Sequence, residues 1–214
     1  MMSVSTEAAS AALARRYALA AAAVTTRGSS GSAEARMRAV VDSLWEHLSP
    51  AGVSWVGFYL PVYDDGGTVT ELVLGPSRNT PACSPIGLHG VCGRGFLSGQ
   101  IQLVRDVAEL GSAYVACDPR DRAEVVVPVF LGDGTGVCGD LPVSDSGTRS
   151  AAATSIARST RTQVGPCEGR RESACVAVLD LDSHSPGRFG PDDVAGLRRV
   201  LGAAGFETPA DLKA

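Results

Sequence analysis

From residue 53 to residue 60 the sequence changes character at every second position. Val56, Phe58 and Leu60 fall on one side of an extended segment, and Trp55, Gly57 and Tyr59 fall on the other. Side chains alternate across a strand, so residues 53–60 form a strand with two unlike faces. One face is plainly apolar; the other sets two aromatic rings either side of a residue with no side chain. Asp65-Gly66-Gly67 supplies turn chemistry before a second strand over 69–74, which makes the pair an antiparallel hairpin. A hairpin alone buries too little to persist in water, so more strands and a cover are required. Residues 101–104, 124–130 and 174–182 read as those strands.

Helices supply the cover. Residues 11–24 are alanine-rich, with Leu13, Tyr17 and Val24 as packing points, and Gly28 to Gly31 break the run. Met37, Val40, Val41, Leu44 and Leu48 keep helical spacing behind Ser32 as N-cap, and Pro50 marks the end. A short Gly-rich helix starts near His89-Gly90-Val91-Cys92. Pro191-Asp192-Asp193 opens a last helix whose stripe is Val194, Leu197, Val200 and Leu201. The element order predicts one α/β (α+β) domain over residues 1–214, a central antiparallel sheet with N- and C-terminal helices flanking it on one side. Residues 132–172 are polar and aperiodic, and are expected to be a long flexible insertion.

Charge and cysteine usage narrow the function classes. Nineteen Lys and Arg against twenty-three Asp and Glu leave a net charge of −4, without the basic footprint that phosphate backbones require, so nucleic acid is not expected as a partner. No apolar run approaches a membrane span, and the first residues lack a secretory h-region. Six cysteines in 214 residues are not a secreted disulfide scaffold. A cytoplasmic location is expected. The first forty residues, Ala-, Ser- and Arg-rich with only Glu7 and Glu34 as acids, leave mitochondrial targeting open.

Two constellations carry chemistry. Cys83, Cys92 and Cys117 sit in loops or at a helix start. The helix dipole at Cys92, and Arg120 and Arg122 after Cys117, would favour thiolate there. A lone cysteine is more often a small buried hydrophobe, and sequence position alone does not bring three together. Asp180 and Asp182 share one face of their strand's end, and Glu124 begins the neighbouring strand. Like charges at that spacing repel unless a ligand ammonium or a metal lies between them, although strand-end carboxylates are more often solvated. Cys83, His89 and Cys92 lack zinc spacing, so no metal and no cofactor is expected. Gly134 to Gly139 matches G-x-G-x-x-G but opens no helix, which is the wrong context for a dinucleotide.

Seven segments in order are familiar together: Trp55-Val56-Gly57-Phe58-Tyr59, Pro81-Ala82-Cys83, Gly90-Val91-Cys92-Gly93, Val115-Ala116-Cys117-Asp118, Arg122-Ala123-Glu124-Val125-Val126-Val127-Pro128, Leu179-Asp180-Leu181-Asp182-Ser183 and Arg188-Phe189. They resemble the free methionine-R-sulfoxide reductases, a GAF-fold family. The resemblance implies an oxidoreductase that converts free L-methionine-(R)-sulfoxide to L-methionine through a cysteine sulfenic acid and an intramolecular disulfide, recycled by thioredoxin or a similar dithiol. It implies Cys117 as nucleophile, Cys83 as resolving thiol and Cys92 as third redox partner. Trp55 and Tyr59 would wall the S-methyl end, and Glu124, Asp180 and Asp182 would hold the ammonium and protonate the oxygen. A homodimer stays open. The chain departs from the family in residues 1–16, in the 132–172 insertion with Cys138 and Cys167, and in a gap between Cys83 and Cys92 one residue shorter than usual. The competing class is a non-catalytic GAF module that senses a small ligand, which needs the same pocket but no thiol pair.

Overall fold

A computed structural model describes residues 3–28, 31–114, 117–131 and 175–210. The 132–172 stretch, with Cys138 and Cys167, lies outside the described residues. Helices α1 (Ser3–Gly28) and α2 (Ala33–Leu48) lead into strands β1 (Trp55–Tyr63) and β2 (Val69–Arg78). Helix α3 (Val91–Ser98), β3 (Gln102–Val104), β4 (Ala123–Leu131), β5 (Cys175–Ser183), α4 (Pro191–Ala203) and the short β6 (Phe206–Glu207) follow. The strands form one antiparallel sheet in the order β2-β1-β5-β4-β3, and β6 pairs with the far end of β4.

Periodicity located every one of the principal elements, and the structure mainly lengthens them. The first helix reaches Ser3 rather than starting near Ala11, so most of the residues before Tyr17 continue the same helix. Ser10 Oγ donates to Asp192 and Leu13 packs on the core, so tertiary contacts with α4 help hold this extension. Ser32 caps α2 as its type and place predict, accepting the Ala35 amide at 3.2 Å. Pro50 sits inside a single 3-10 turn, Ser49–Ala51, that closes the helix.

The two faces of β1 part as the alternation requires. Val56, Phe58 and Leu60 join Val125, Val127 and Val129 of β4 and Leu179 and Leu181 of β5 under the buried stripes of α1, α2 and α4. Fully burying each such side chain contributes about 1.5–3 kcal/mol. Trp55 and Tyr59 lie on the opposite face, in a second cluster with Val126, Val178 and helix α3. Helices therefore cover both faces, not one: α3 was placed correctly along the chain, but its side of the sheet depends on which face remains open once α1, α2 and α4 have packed.

Arg188 belongs to the scaffold. Its Nε donates to Ala51 O at 2.7 Å, and its guanidinium pairs with Asp193 at 2.8 Å. Asp193 also accepts the buried Tyr17 hydroxyl at 2.8 Å. Arg188-Phe189 thus ties the sheet end to α1 and α4, well away from the aromatic face.

Candidate active site

Cross-strand register assembles the second face. Trp55 of β1 lies opposite Asp182 of β5, which in turn lies opposite Glu124 of β4. The next row is Gly57, Asp180 and Val126. Paired residues of antiparallel strands project to the same face, so three carboxylates from two strands converge beneath one aromatic ring. Gly57 makes the row possible. A Cβ there would stand 2.5 Å from Trp55 Cη2 and 2.8 Å from Ser77 Cβ, so the indole lies across the space that a side chain would fill. Tyr59 stacks at a tilt, its ring centroid 5.9 Å from that of Trp55, and its hydroxyl donates to Cys83 O at 3.0 Å.

Helix α3 and the loop before it form the opposite wall. Leu72 and Ile86 exchange backbone hydrogen bonds of 2.9 and 2.8 Å, and Ser84 Oγ accepts the Leu74 amide at 3.0 Å, which pins the Cys83 loop along β2. A cavity of about 210 Å³ lies between the walls. Trp55, Tyr59, Cys83, Cys92, Cys117, Glu124, Asp180 and Asp182, all eight residues singled out in the sequence, line it.

The three cysteines divide. Cys83 and Cys117 form a disulfide across 34 residues of chain, with Cα atoms 5.4 Å apart. Cys92 stays a thiol: it is buried, donates to Asp180 Oδ2 at 3.2 Å, and lies 3.9 Å from Glu124 Oε1. Burial, then the neighbouring Asp180 and Glu124, push the Cys92 thiol up. That overturns the thiolate expected from the start of a helix, because desolvation and two acids outweigh a partial helix charge. The cations expected to activate Cys117 are engaged elsewhere. Arg120 grips both oxygens of Asp118 at 2.7–3.1 Å, and Arg122 bridges to Asp106 at 2.8 Å.

Burial dominates the acids too. It pushes Asp180 up to about 7, and it raises Glu124, with help from Asp180 and Asp121, and Asp182, with help from Asp180 and Glu124, well above the carboxylate range. Two buried polar atoms on this wall, Asp180 Oδ1 and Trp55 Nε1, have no hydrogen-bond partner among the described residues. A buried acceptor and a buried donor without partners are costly unless something completes them. A ligand with both a cationic and a polar acceptor group would do so.

Sequence reasoning missed two polar lining residues, Tyr114 and Asp121. Asp121 is buried, and burial followed by Asp118 raises its carboxyl. Its type and its place three residues before Glu124 were visible; the turn that swings it into the cavity was not. Among the described residues two groups bring three potential metal donors within 4.8 Å: Cys92, Glu124 and Asp180, and Asp118, Asp121 and His184. In the second group Asp118 is already saturated by Arg120, with His184 Nε2 3.4 Å away, which makes it an ion-pair cluster.

No family model matches the chain. It is 28% identical over 160 residues to the free methionine-R-sulfoxide reductase of Escherichia coli, an overlap of 74% of this chain and 67% of that protein. A structure named as a GAF sensor protein, from Burkholderia vietnamiensis, superposes with a TM-score of 0.61 at 26% identity, covering 90% of this chain and 92% of the other. The free methionine-R-sulfoxide reductase of Neisseria meningitidis, solved in complex with its substrate, superposes with a TM-score of 0.60 at 23% identity over 90% and 87% of the two chains. The architecture is the GAF fold.

Proposed function

We propose that this chain, which resembles a free methionine-R-sulfoxide reductase over 74% of its length and shares the GAF fold, is an enzyme that reduces free L-methionine-(R)-sulfoxide to L-methionine with two of its own thiols. The observation that carries this reading is the Cys83–Cys117 disulfide on the rim of a cavity walled by buried acids. A pocket for passive recognition has no use for a closed thiol pair at its mouth.

In the reduced protein the Cys117 thiolate attacks the sulfoxide sulfur, the bond from oxygen to the methionine sulfur breaks, and the oxygen takes one proton from a neighbouring carboxyl as it passes to the cysteine sulfur; the proton that left the Cys117 thiol restores that carboxyl. Methionine and a Cys117 sulfenic acid result. The acids supply what this step lacks. A carboxyl that burial holds partly protonated near neutrality donates to the departing oxygen, as Asp180 and its neighbours can. Cys83 then condenses with the sulfenic acid, releases water and closes the disulfide. The two thiols have given the two electrons that the sulfoxide required. An external dithiol of the thioredoxin kind returns them.

The same acids supply selectivity. Glu124, Asp180 and Asp182 face a substrate whose free α-ammonium offsets their repulsion, a charge that a methionine inside a peptide does not carry. Trp55 and Tyr59 offer apolar surface to the S-methyl end. Cys92 holds the Asp180 carboxyl in place as its hydrogen-bond donor.

The GAF sensor reading shares the pocket and is separated by one experiment. Fully reduced protein is mixed with methionine-R-sulfoxide, and methionine and free thiols are counted. One methionine released for every two thiols lost is the expected result. Ligand retained with no thiol consumed would replace the enzyme by a sensor.

A further inference from the structure

Cys92, Glu124 and Asp180 reach the cavity wall from α3, β4 and β5, and only the tertiary fold brings them together. Cys92 Sγ lies 3.2 Å from Asp180 Oδ2 and 3.9 Å from Glu124 Oε1. A tetrahedral zinc ion, bonded to sulfur at about 2.3 Å and to oxygen at about 2.0 Å, holds those ligands about 3.5 Å apart. The two separations bracket that edge, and all three ligand atoms lie within 4.8 Å of one another. The second oxygen of Asp180 is buried on the same wall with no partner among the described residues, and Asp182 lines the same cavity. The charge balance also calls for a cation, since Asp121, Glu124, Asp180 and Asp182 all face this space.

We propose that Cys92, Glu124 and Asp180 form a binding site for a zinc-class divalent cation, and that the cation competes with the substrate for the pocket. A thiolate among oxygen ligands favours zinc or cobalt over magnesium or calcium. Binding exchanges protons for the metal: the Cys92 S–H bond breaks, a sulfur–metal bond forms, the thiol proton leaves to solvent together with any proton that Glu124 or Asp180 holds, and no electrons move. The Cys83, His89 and Cys92 set that the sequence brings to mind is not this site, because Cys83 is held in the disulfide. Cys92 lies outside that disulfide, so the site persists in the oxidised protein. Competition with substrate rests on the reductase reading, since the metal and the substrate ammonium would share Glu124 and Asp180. Occupancy of the metal site does not rest on it.

The test uses the full chain with its Cys83–Cys117 disulfide closed, titrated with Co²⁺ as a spectroscopic stand-in for zinc. A near-ultraviolet thiolate-to-cobalt band saturating at one ion per chain is expected. Zn²⁺ should abolish it and Mg²⁺ should not. Cys92→Ser should lose the band, while Cys175→Ser keeps it. The near-isosteric Glu124→Gln and Asp180→Asn, checked for native near-ultraviolet circular dichroism, should each weaken binding by roughly tenfold or more. No band, or a band that survives Cys92→Ser, overturns the site. Free L-methionine should displace the cobalt; failure to do so overturns the competition. A protein that binds Co²⁺ through Cys92 but does not turn over methionine-R-sulfoxide would keep the metal site and refute the reductase reading.

Discussion

Asp180 illustrates how one residue's meaning depends on its neighbours. On an exposed strand end it would be a solvated carboxylate; here it is buried, accepts the Cys92 thiol with one oxygen and leaves the other without a partner. On the proposed function, Asp180→Asn should remove a charge-assisted hydrogen bond to the substrate ammonium, commonly worth about 1.5–3 kcal/mol. That is roughly one to two decades in kcat/KM for free methionine-R-sulfoxide. The N-acetylated analogue, which has no ammonium, should react poorly with the wild type and lose little more in the variant. Equal fractional losses on both substrates would place Asp180 in the chemistry rather than in recognition. Cys117→Ser should keep the fold and abolish turnover, read as methionine released in a single turnover of reduced protein. Near-normal release would move the nucleophile to Cys92, despite the burial that holds its proton in place.

At the scale of elements, close packing depends on two glycines. Gly57 lets β1 carry the Trp55 indole flat across its own row. Gly57→Ala should displace the ring at an overpacking cost of about 1–3 kcal/mol, raising KM for the sulfoxide while the circular dichroism of the sheet is unchanged. Tryptophan emission, read in a Trp45→Phe background, should shift with it. Unaltered KM and emission would mean that the pocket tolerates the methyl group. Gly196 plays the corresponding part between helices: a Cβ there would overlap the Tyr17 ring, in the contact that joins α1 to α4. Gly196→Ala should destabilise by a similar amount. At about 2–4 °C of Tm for each kcal/mol in a chain of this size, scanning calorimetry will resolve it, with kcat preserved.

For the molecule as a whole, the acid cluster makes stability depend on pH in a direction opposite to that of most carboxylates. Burial raises Asp180, from an unfolded value near 3.9, to about 7, and raises Asp121, Glu124 and Asp182 as well. Between those limits the folded state binds more protons than the unfolded one, so unfolding free energy falls as pH rises from about 4 to about 7. Metal-free, ligand-free protein should therefore melt at higher temperature at pH 5 than at pH 7.5. L-Methionine, whose ammonium answers the ionised acids, should stabilise more at pH 7.5 than at pH 5. Asp180→Asn should flatten the profile. A melting temperature that climbs from pH 5 to 7.5 in the wild type would show that the cluster is neutralised in some other way. Below this window Asp106 and Asp118, held low by Arg122 and Arg120, act in the usual sense and lose their stabilisation as they protonate.

Local sequence determined a large part of this. Alternation assigned Val56 and Phe58 to one face and Trp55 and Tyr59 to the other, Ser32 marked a helix start, and paired acids at the end of β5 announced an unmet positive charge, because period and residue type act over a few neighbours. The motif resemblance added the roles of the eight cavity residues and their place in one site. What no short window contains is register and partner choice. Glu124 meets Asp182 only because β4 and β5 pair in one of several possible offsets, and Cys83 meets Cys117 across 34 residues only once the loop is pinned to β2. Whether Cys92 is a thiolate or a protonated donor depends on desolvation and on the charges packed around it. Whether α3 lies on the aromatic face or the aliphatic one depends on where α1, α2 and α4 have already packed. Those are properties of contacts between distant segments, and the tertiary structure alone decides them.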